Sequence, residues 1–109
     1  MSELSHRAEK MINTFLQTLK SQYKYPRTVR SVKIEKGLDV SGVDVRAMAN
    51  TLRRRGEPIG SNVNGYYYAT DARELEETIK HLTERRNSLS AVIEGLNRAF
   101  ADKGQLELL

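Results

Sequence analysis

Cysteine is absent from this chain of 109 residues, which also has only two prolines and no long apolar run. Without cysteine, the chain cannot form a disulfide bond, a thiolate zinc site or a cysteine nucleophile. Two prolines and seven glycines are too few for a low-complexity or disordered sequence. Because no apolar run approaches the length of a membrane span or a signal-peptide core, we expect a cytoplasmic protein with no membrane partner.

The sequence also has few of the residues that catalysis and metal binding require. His6 and His81 fall on different predicted helices and show no metal-ligand spacing. Neither histidine has a serine and an acid in the arrangement of a catalytic triad. Gly56, Gly60 and Gly65 punctuate turns and do not form a phosphate-binding loop. We therefore expect no enzymatic activity, no metal and no cofactor.

What the chain does have is a group of basic residues around its centre. Lysine and arginine number 18 against 14 acidic residues, which gives a net charge of +4. The basic residues of this group are Lys24, Arg27, Arg30, Lys33, Lys36, Arg46, Arg53, Arg54 and Arg55. A net charge of this size permits a polyanionic partner, and the grouping of the basic residues matters more than the total.

The stretch from Ser41 to Ala69 carries the strongest local signals. Ser41 is a favoured helix N-cap, and Asp44 falls in the first turn, where an acidic residue suits the helix dipole. Apolar residues then recur at helical spacing, at Val45, Met48, Ala49 and Leu52. The helix is predicted to end in the arginines 53–55, with Gly56 in the position of a left-handed C-terminal cap.

A short β-hairpin is predicted directly after this helix. Its strands are Pro58-Ile59 and the tyrosine run 66–68, and the Asn64-Gly65 pair between them is a strong turn signal. We expect alternate tyrosines to pack inward. A helix that ends in arginines and is followed at once by a hairpin has the layout of a winged helix-turn-helix, which is a nucleic-acid-reading element.

Residues 1–22 are predicted to form an amphipathic helix. Its apolar residues follow steps of three and four, at Leu4, Ala8, Met11, Ile12, Phe15, Leu16 and Leu19. The pattern favours a helix that packs in the core of the domain, with docking onto a protein partner as the alternative. Pro26 ends this pattern, because proline does not fit a helix interior.

A second short helix is predicted before Ser41. Thr28 is placed to cap it, Gly37 to end it, and its apolar members are Val29, Val32 and Ile34. The segment 32–34 also alternates like a strand, so a strand is the alternative. Residues 38–40 form the expected tight turn between the two helices, which completes a helix-turn-helix.

The segment 71–101 is predicted to be one long helix with a heptad repeat. Leucines occupy the d positions and apolar residues the a positions, with one arginine as the polar exception. The seam consists of Leu75, Ile79, Leu82, Arg86, Leu89, Ile93, Leu96 and Phe100. β-branched residues at a with leucine at d favour a parallel two-stranded coiled coil, so we expect a homodimer. The alternatives are a single helix that packs on its own domain, or two helices broken near Asn87-Ser88.

The expected fold is mainly α with a small β-hairpin wing, and it has four parts. These are an N-terminal helix at 1–22, a winged helix-turn-helix at 23–70, a long helix at 71–101 and a tail without periodicity at 102–109. With 39% hydrophobic and 29% charged residues, the chain is expected to have one small core with appendages.

The run LRRRGEPIGSNVNGYYYA at 52–69, followed by ELEETIKHLTERRNSL, resembles winged helix-turn-helix proteins of bacteriophages and mobile elements of Gram-positive bacteria. The resemblance covers residues 41–100, and its most specific part is the wing from Ile59 to Tyr67. It implies a double-stranded DNA-binding protein that serves as a transcriptional regulator or as a replication or recombination accessory factor. The basic segment before Ser41 departs from the acidic, alanine-rich first helix usual in this motif.

DNA contacts are expected from the residues that the apolar stripe leaves on the outer face of the central helix. The expected base contacts are Ser41, Asp44, Arg46, Ala47, Asn50 and Thr51. In this prediction Arg46 binds guanine and Asn50 binds adenine, each through two hydrogen bonds. The expected phosphate contacts are Thr28, Arg30, Lys33, Arg53 and Arg54, and the wing contacts are Asn62 and Asn64.

Two other functions fit parts of the pattern. One is a protein-interaction module, in which the helices assemble a replication or recombination complex without reading DNA sequence. The other is a single-strand binder in which Tyr66, Tyr67 and Tyr68 stack on bases.

Overall fold

A computed structural model of the protein describes residues 4–102 and is mainly helical, with one antiparallel hairpin and a long C-terminal helix. The elements are α1 (His6–Gln22), α2 (Ser31–Leu38), α3 (Gly42–Arg54), β1 (Ile59–Asn62), β2 (Gly65–Tyr68), a 3₁₀ turn (Ala72–Leu75) and α4 (Glu76–Asp102). This confirms the predicted fold class at the level of its elements. The chain divides into two compact units between Thr78 and Ile79. Most of the predicted tail lies outside the described residues.

Helix α1 is a core helix of the first unit, as the amphipathic pattern predicted. It begins where the Ser5 hydroxyl accepts a 3.0 Å hydrogen bond from the backbone N–H of Ala8. Its buried face consists of Ala8, Ile12, Phe15, Leu16 and Leu19, and these side chains pack with the buried faces of α2 and α3. Residues 6–22 therefore belong to the same core as the central helix.

The segment before α2 pairs with the hairpin, which the sequence did not reveal. Val29 and Tyr66 exchange backbone hydrogen bonds of 2.9 and 2.8 Å, so Val29 is extended and buried against β2. Gly65 lies beside this pairing with φ 130°, and a β-carbon there would overlap the Val29 carbonyl. The prediction that Thr28 caps α2 is wrong, because the helix starts only after the paired residue, at Ser31.

Helix α2 runs through Gly37 and ends at Leu38, so the prediction that Gly37 terminates it is also wrong. Asp39 adopts the left-handed conformation instead, with φ 55° and ψ 57°, and its N–H donates to the Glu35 carbonyl. The side chain of Arg7 donates to the carbonyls of Leu38 and Asp39 over 2.9 and 3.1 Å. These two contacts satisfy the C-terminal carbonyls of α2 and attach the turn to α1.

Helix α3 has the start and the end that the sequence predicted. Ser41 and Asp44 form a capping box, in which each side chain accepts a 3.0 Å hydrogen bond from the backbone N–H of the other residue. Gly56 follows the helix with φ 92°. The buried face consists of Val45, Met48, Ala49 and Leu52, the four residues of the predicted stripe.

The hairpin packs through alternate tyrosines. Tyr67 is 1% exposed and lies across Gly60, its partner in the β1–β2 register, where a β-carbon would overlap the tyrosine ring. The Tyr67 hydroxyl donates to the Glu74 carbonyl over 2.6 Å. Tyr66 points to the other face and meets Phe15 edge-on with ring centroids 6.2 Å apart. Both faces of the hairpin are therefore covered.

Helix α4 is continuous from Glu76 to Asp102, which rules out two helices broken near Asn87-Ser88. Asp71 caps the 3₁₀ turn that precedes it, and its side chain accepts from the N–H groups of Arg73 and Glu74. Among residues 4–102, none of the helices is both long enough and apolar enough to span a membrane.

Candidate nucleic-acid interface

The outer face of α3 carries one row of side chains opposite the buried stripe. Because an α-helix has about 3.6 residues per turn, the residues furthest from the core are Val43, Ala47, Asn50 and Arg54. Val43, Asn50 and Arg54 are exposed, and Ala47 is half-buried. Two of the six predicted base contacts, Ala47 and Asn50, therefore lie in the middle of the outer face.

Arg46 is exposed on one flank of this row, close to the first turn of α3. A β-carbon at Gly42 would lie 3.9 Å from an Arg46 guanidinium nitrogen and 3.3 Å from a Glu35 carboxylate oxygen. Glu35 in turn accepts a 2.8 Å hydrogen bond from the Ser31 hydroxyl, which fixes its carboxylate on α2. The Glu35 carboxylate and the Arg46 guanidinium therefore both lie beside Gly42 at the start of α3.

Ser41 and Asp44, both predicted base contacts, are engaged in the start of the helix. One Asp44 oxygen accepts from the backbone N–H of Ser41, and the other accepts a 2.7 Å hydrogen bond from the Ser5 hydroxyl. These two donors hold the pKa of the Asp44 carboxyl below its ordinary value. The geometry therefore gives both residues a capping role that joins α3 to α1.

Arg53, a predicted phosphate contact, connects α3 to the hairpin. Its guanidinium donates to the Ile59 carbonyl over 2.8 Å, to the Ser61 hydroxyl over 3.2 Å and to the Asn50 side-chain oxygen over 3.4 Å. Because the side chain is half-buried between the two elements, it fixes the hairpin relative to the outer face of α3. Arg54 is exposed and donates to the Thr51 hydroxyl over 3.3 Å.

The tip of the hairpin is a valine between two asparagines. The Asn62 side-chain oxygen accepts a 2.8 Å hydrogen bond from the backbone N–H of Asn64, so Asn62 shapes the turn. Val63 is 86% exposed. It lines a groove with Arg30 and Val32 of the α2 start. The predicted wing contacts, Asn62 and Asn64, flank Val63, for which no contact was predicted.

The other predicted phosphate contacts lie before and within α2. Arg30 and Lys33 are exposed, whereas Thr28 is half-buried. Arg27 is exposed as well, with its guanidinium 5.7 Å from the centre of the Tyr23 ring. Arg30 lines the groove at the hairpin tip, so at least one of these cations lies beside the tip.

The second unit presents the predicted seam as an exposed apolar face. The described part of this unit, residues 79–102, is a single helix. Its exposed large apolar side chains range from 39% to 69% exposed and are Ile79, Leu82, Leu89, Val92, Ile93, Leu96 and Phe100. Val92 lies beside the seam and was not predicted. Leu75, the first seam residue, is half-buried in the 3₁₀ turn of the first unit.

Comparisons of the chain with protein-family models, with curated proteins and with solved structures gave no significant match.

Proposed function

We propose that this chain is a sequence-specific double-stranded DNA-binding protein of the winged helix-turn-helix type. The proposal is supported by the three residues, 39–41, that connect α2 to α3, and by the hairpin that directly follows α3. The isolated antiparallel bridge between Val29 and Tyr66 connects the hairpin to the segment before α2, and Arg53 connects the hairpin to α3. The observation that carries the proposal is the exposed row on α3, bordered by cations and held beside the hairpin by Arg53.

In this proposal, α3 lies in the major groove with its N-terminal half nearest the base edges. Arg46 binds guanine and Asn50 binds adenine, each through two hydrogen bonds. The contact from Arg53 does not prevent this, because an amide oxygen has two lone pairs and can accept a second hydrogen bond from adenine. Arg53 instead orients the Asn50 amide.

Phosphate contacts surround this reading helix. Arg30, Lys33 and Arg54 are exposed cations that position the protein without reading sequence, and Thr28 contributes a hydroxyl. The hairpin tip, with Asn62, Val63 and Asn64, approaches the adjacent minor groove. Arg53 serves as the link that sets the distance between the hairpin and the reading helix.

The protein acts as a homodimer through the exposed face of α4. A helix of 27 residues is about 40 Å long, and in water its apolar seam gains stability by pairing with a second copy. A dimer of this type reads two half-sites related by a two-fold axis. The position of these half-sites in the genome determines whether they serve transcription or the replication and recombination of a mobile element.

The decisive experiment measures binding of the full chain to random-sequence duplex DNA at two salt concentrations, followed by enrichment of bound fragments from the host genome. We expect binding that weakens with salt, with log K falling by about 0.9 per log unit of salt for each phosphate neutralised. We also expect a shared motif among the enriched fragments. Absence of binding at low salt would refute the proposal and favour the protein-interaction module.

A further inference from the structure

The exposed aliphatic side chains of the first unit have an unusual distribution. Among its described residues, the large aliphatic side chains that are exposed are three valines, Val32, Val43 and Val63. They lie on α2, α3 and the hairpin tip, which are the three elements of the proposed interface. The outer face of α1 contributes none.

Val43 occupies the centre of the outer face of α3, in its first turn. It is 65% exposed. Helical geometry places it opposite the buried stripe and directly in line with Ala47, one turn further on. Gly42 precedes it, so the N-terminal half of the outer face is apolar and smooth, with the Arg46 guanidinium close to Gly42 at its edge.

A valine at this position gives the isolated helix no advantage. β-branched residues have lower helix propensity than alanine, and an exposed valine keeps its methyl groups in water. The first turn of a helix instead favours small polar or acidic side chains. A partner that covers the two methyl groups would give Val43 a function. The cations Arg46 and Arg54 on the same face favour a polyanion as that partner.

In the major groove the apolar group available for such a contact is the C5-methyl of thymine. We propose that Val43, with Ala47 beside it, packs against a thymine methyl next to the base pair that Arg46 reads. This inference rests on the proposed function and deepens it, because it assigns a specificity-determining residue and the base it selects. The bound site therefore contains a thymine within one or two base pairs of the guanine.

Replacement of thymine by uracil tests this contact, because uracil lacks only the C5-methyl group. The best-enriched duplex from a library with a randomised core is prepared with each thymine replaced singly by uracil. Binding of the full chain is then compared for the wild type, for Val43→Ser and for Val32→Ser, which alters an exposed valine on α2. We expect one thymine at which uracil weakens wild-type binding about fourfold, the effect of one buried methyl group.

The variants distinguish the outcomes. At that thymine, Val43→Ser should bind the thymine and uracil duplexes equally, whereas Val32→Ser should keep the fourfold difference. The wild type could bind the selected duplex without any thymine at which the loss of binding caused by uracil depends on Val43. That result overturns the inference and leaves the proposed DNA binding intact. Failure to enrich any duplex overturns the proposed function, and the inference with it.

Discussion

The Ser5 hydroxyl donates a 2.7 Å hydrogen bond to Oδ1 of Asp44, so the first turns of α1 and α3 share one polar contact. Ser5 also caps α1, and Asp44 completes the capping box of α3 with Ser41. Two helix starts separated by 39 positions in sequence are thereby joined. The contact sets the start of the proposed reading helix against α1.

The first prediction follows from the lowered pKa of Asp44. Because the Asp44 pKa is lower in the folded chain than in the unfolded chain, the hydrogen bonds to its carboxylate stabilise the fold fully above the ordinary carboxyl pKa. This stabilisation is lost as the pH falls through the pKa of Asp44 in the folded chain. We expect Ser5→Ala to raise the Asp44 pKa towards its ordinary value, measured by NMR titration of the carboxyl carbon. Ser21→Ala, which removes a hydroxyl bonded within α1, should leave that pKa unchanged.

The second prediction concerns the end of α2. Asp39 is left-handed at φ 55°, a conformation that costs glycine much less than other residues, so Asp39→Gly should stabilise the fold by about 0.5–1 kcal/mol. Gly37 lies in the helix, and a β-carbon there meets nothing within 4 Å. Gly37→Ala should therefore stabilise by up to about 1 kcal/mol. Urea denaturation measures the free energy of unfolding of both variants. Asp39→Ala serves as the control, which should not stabilise the fold.

The third prediction separates Arg53 from Arg54. Arg53→Ala removes the link between α3 and the hairpin, so it should lower the free energy of unfolding by about 1.5–3 kcal/mol and weaken DNA binding. Arg54→Ala should change stability little and reduce the salt slope of DNA binding by about 1. Equal stabilities for the two variants in denaturant titrations would show that Arg53 does not anchor the hairpin.

These residues show which parts of the structure local sequence patterns determine. The capping box of Ser41 and Asp44 was predictable because capping depends on residues three apart, and Gly56 because its conformation favours glycine. The pairing of Val29 with Tyr66 and the reach of Arg53 to Ser61 depend on tertiary packing, which no local pattern encodes. The period that buries Val45 also places Val43 outward, but helical periodicity does not indicate what an exposed valine contacts.

The fourth prediction tests the base contacts of α3. Arg46→Ala and Asn50→Ala should each reduce discrimination between the preferred and random duplexes by about 1–3 kcal/mol, because each removes one proposed bidentate contact. Neither side chain is part of the buried core, so the unfolding transition should stay near that of the wild type. Competition binding with both duplexes measures the ratio of the affinities for the preferred and the random duplex. An unchanged ratio for Arg46→Ala would place the reading surface elsewhere.

The last prediction concerns the exposed seam of α4. Leu89 is 57% exposed at a d position, so Leu89→Asp should not disturb the core of the first unit but should place a charge in the proposed dimer interface. We expect this variant to sediment as a monomer at micromolar concentration and to bind DNA much more weakly, since a monomer reaches only one half-site. Sedimentation equilibrium measures the oligomeric state, and the DNA affinity is measured on the same samples.

Arg86 provides the opposite change in the same seam. In a parallel dimer the two copies of Arg86 occupy the same a layer, where a polar residue specifies register at a cost in stability. Arg86→Ile should therefore strengthen association and permit oligomers larger than a dimer, whereas Arg98→Ile, outside the seam, should change neither. If the wild type sediments as a monomer yet binds DNA tightly, α4 does not dimerise and its apolar face has another role. If Arg86→Ile weakens association, the two arginines do not face each other, and the parallel register is wrong.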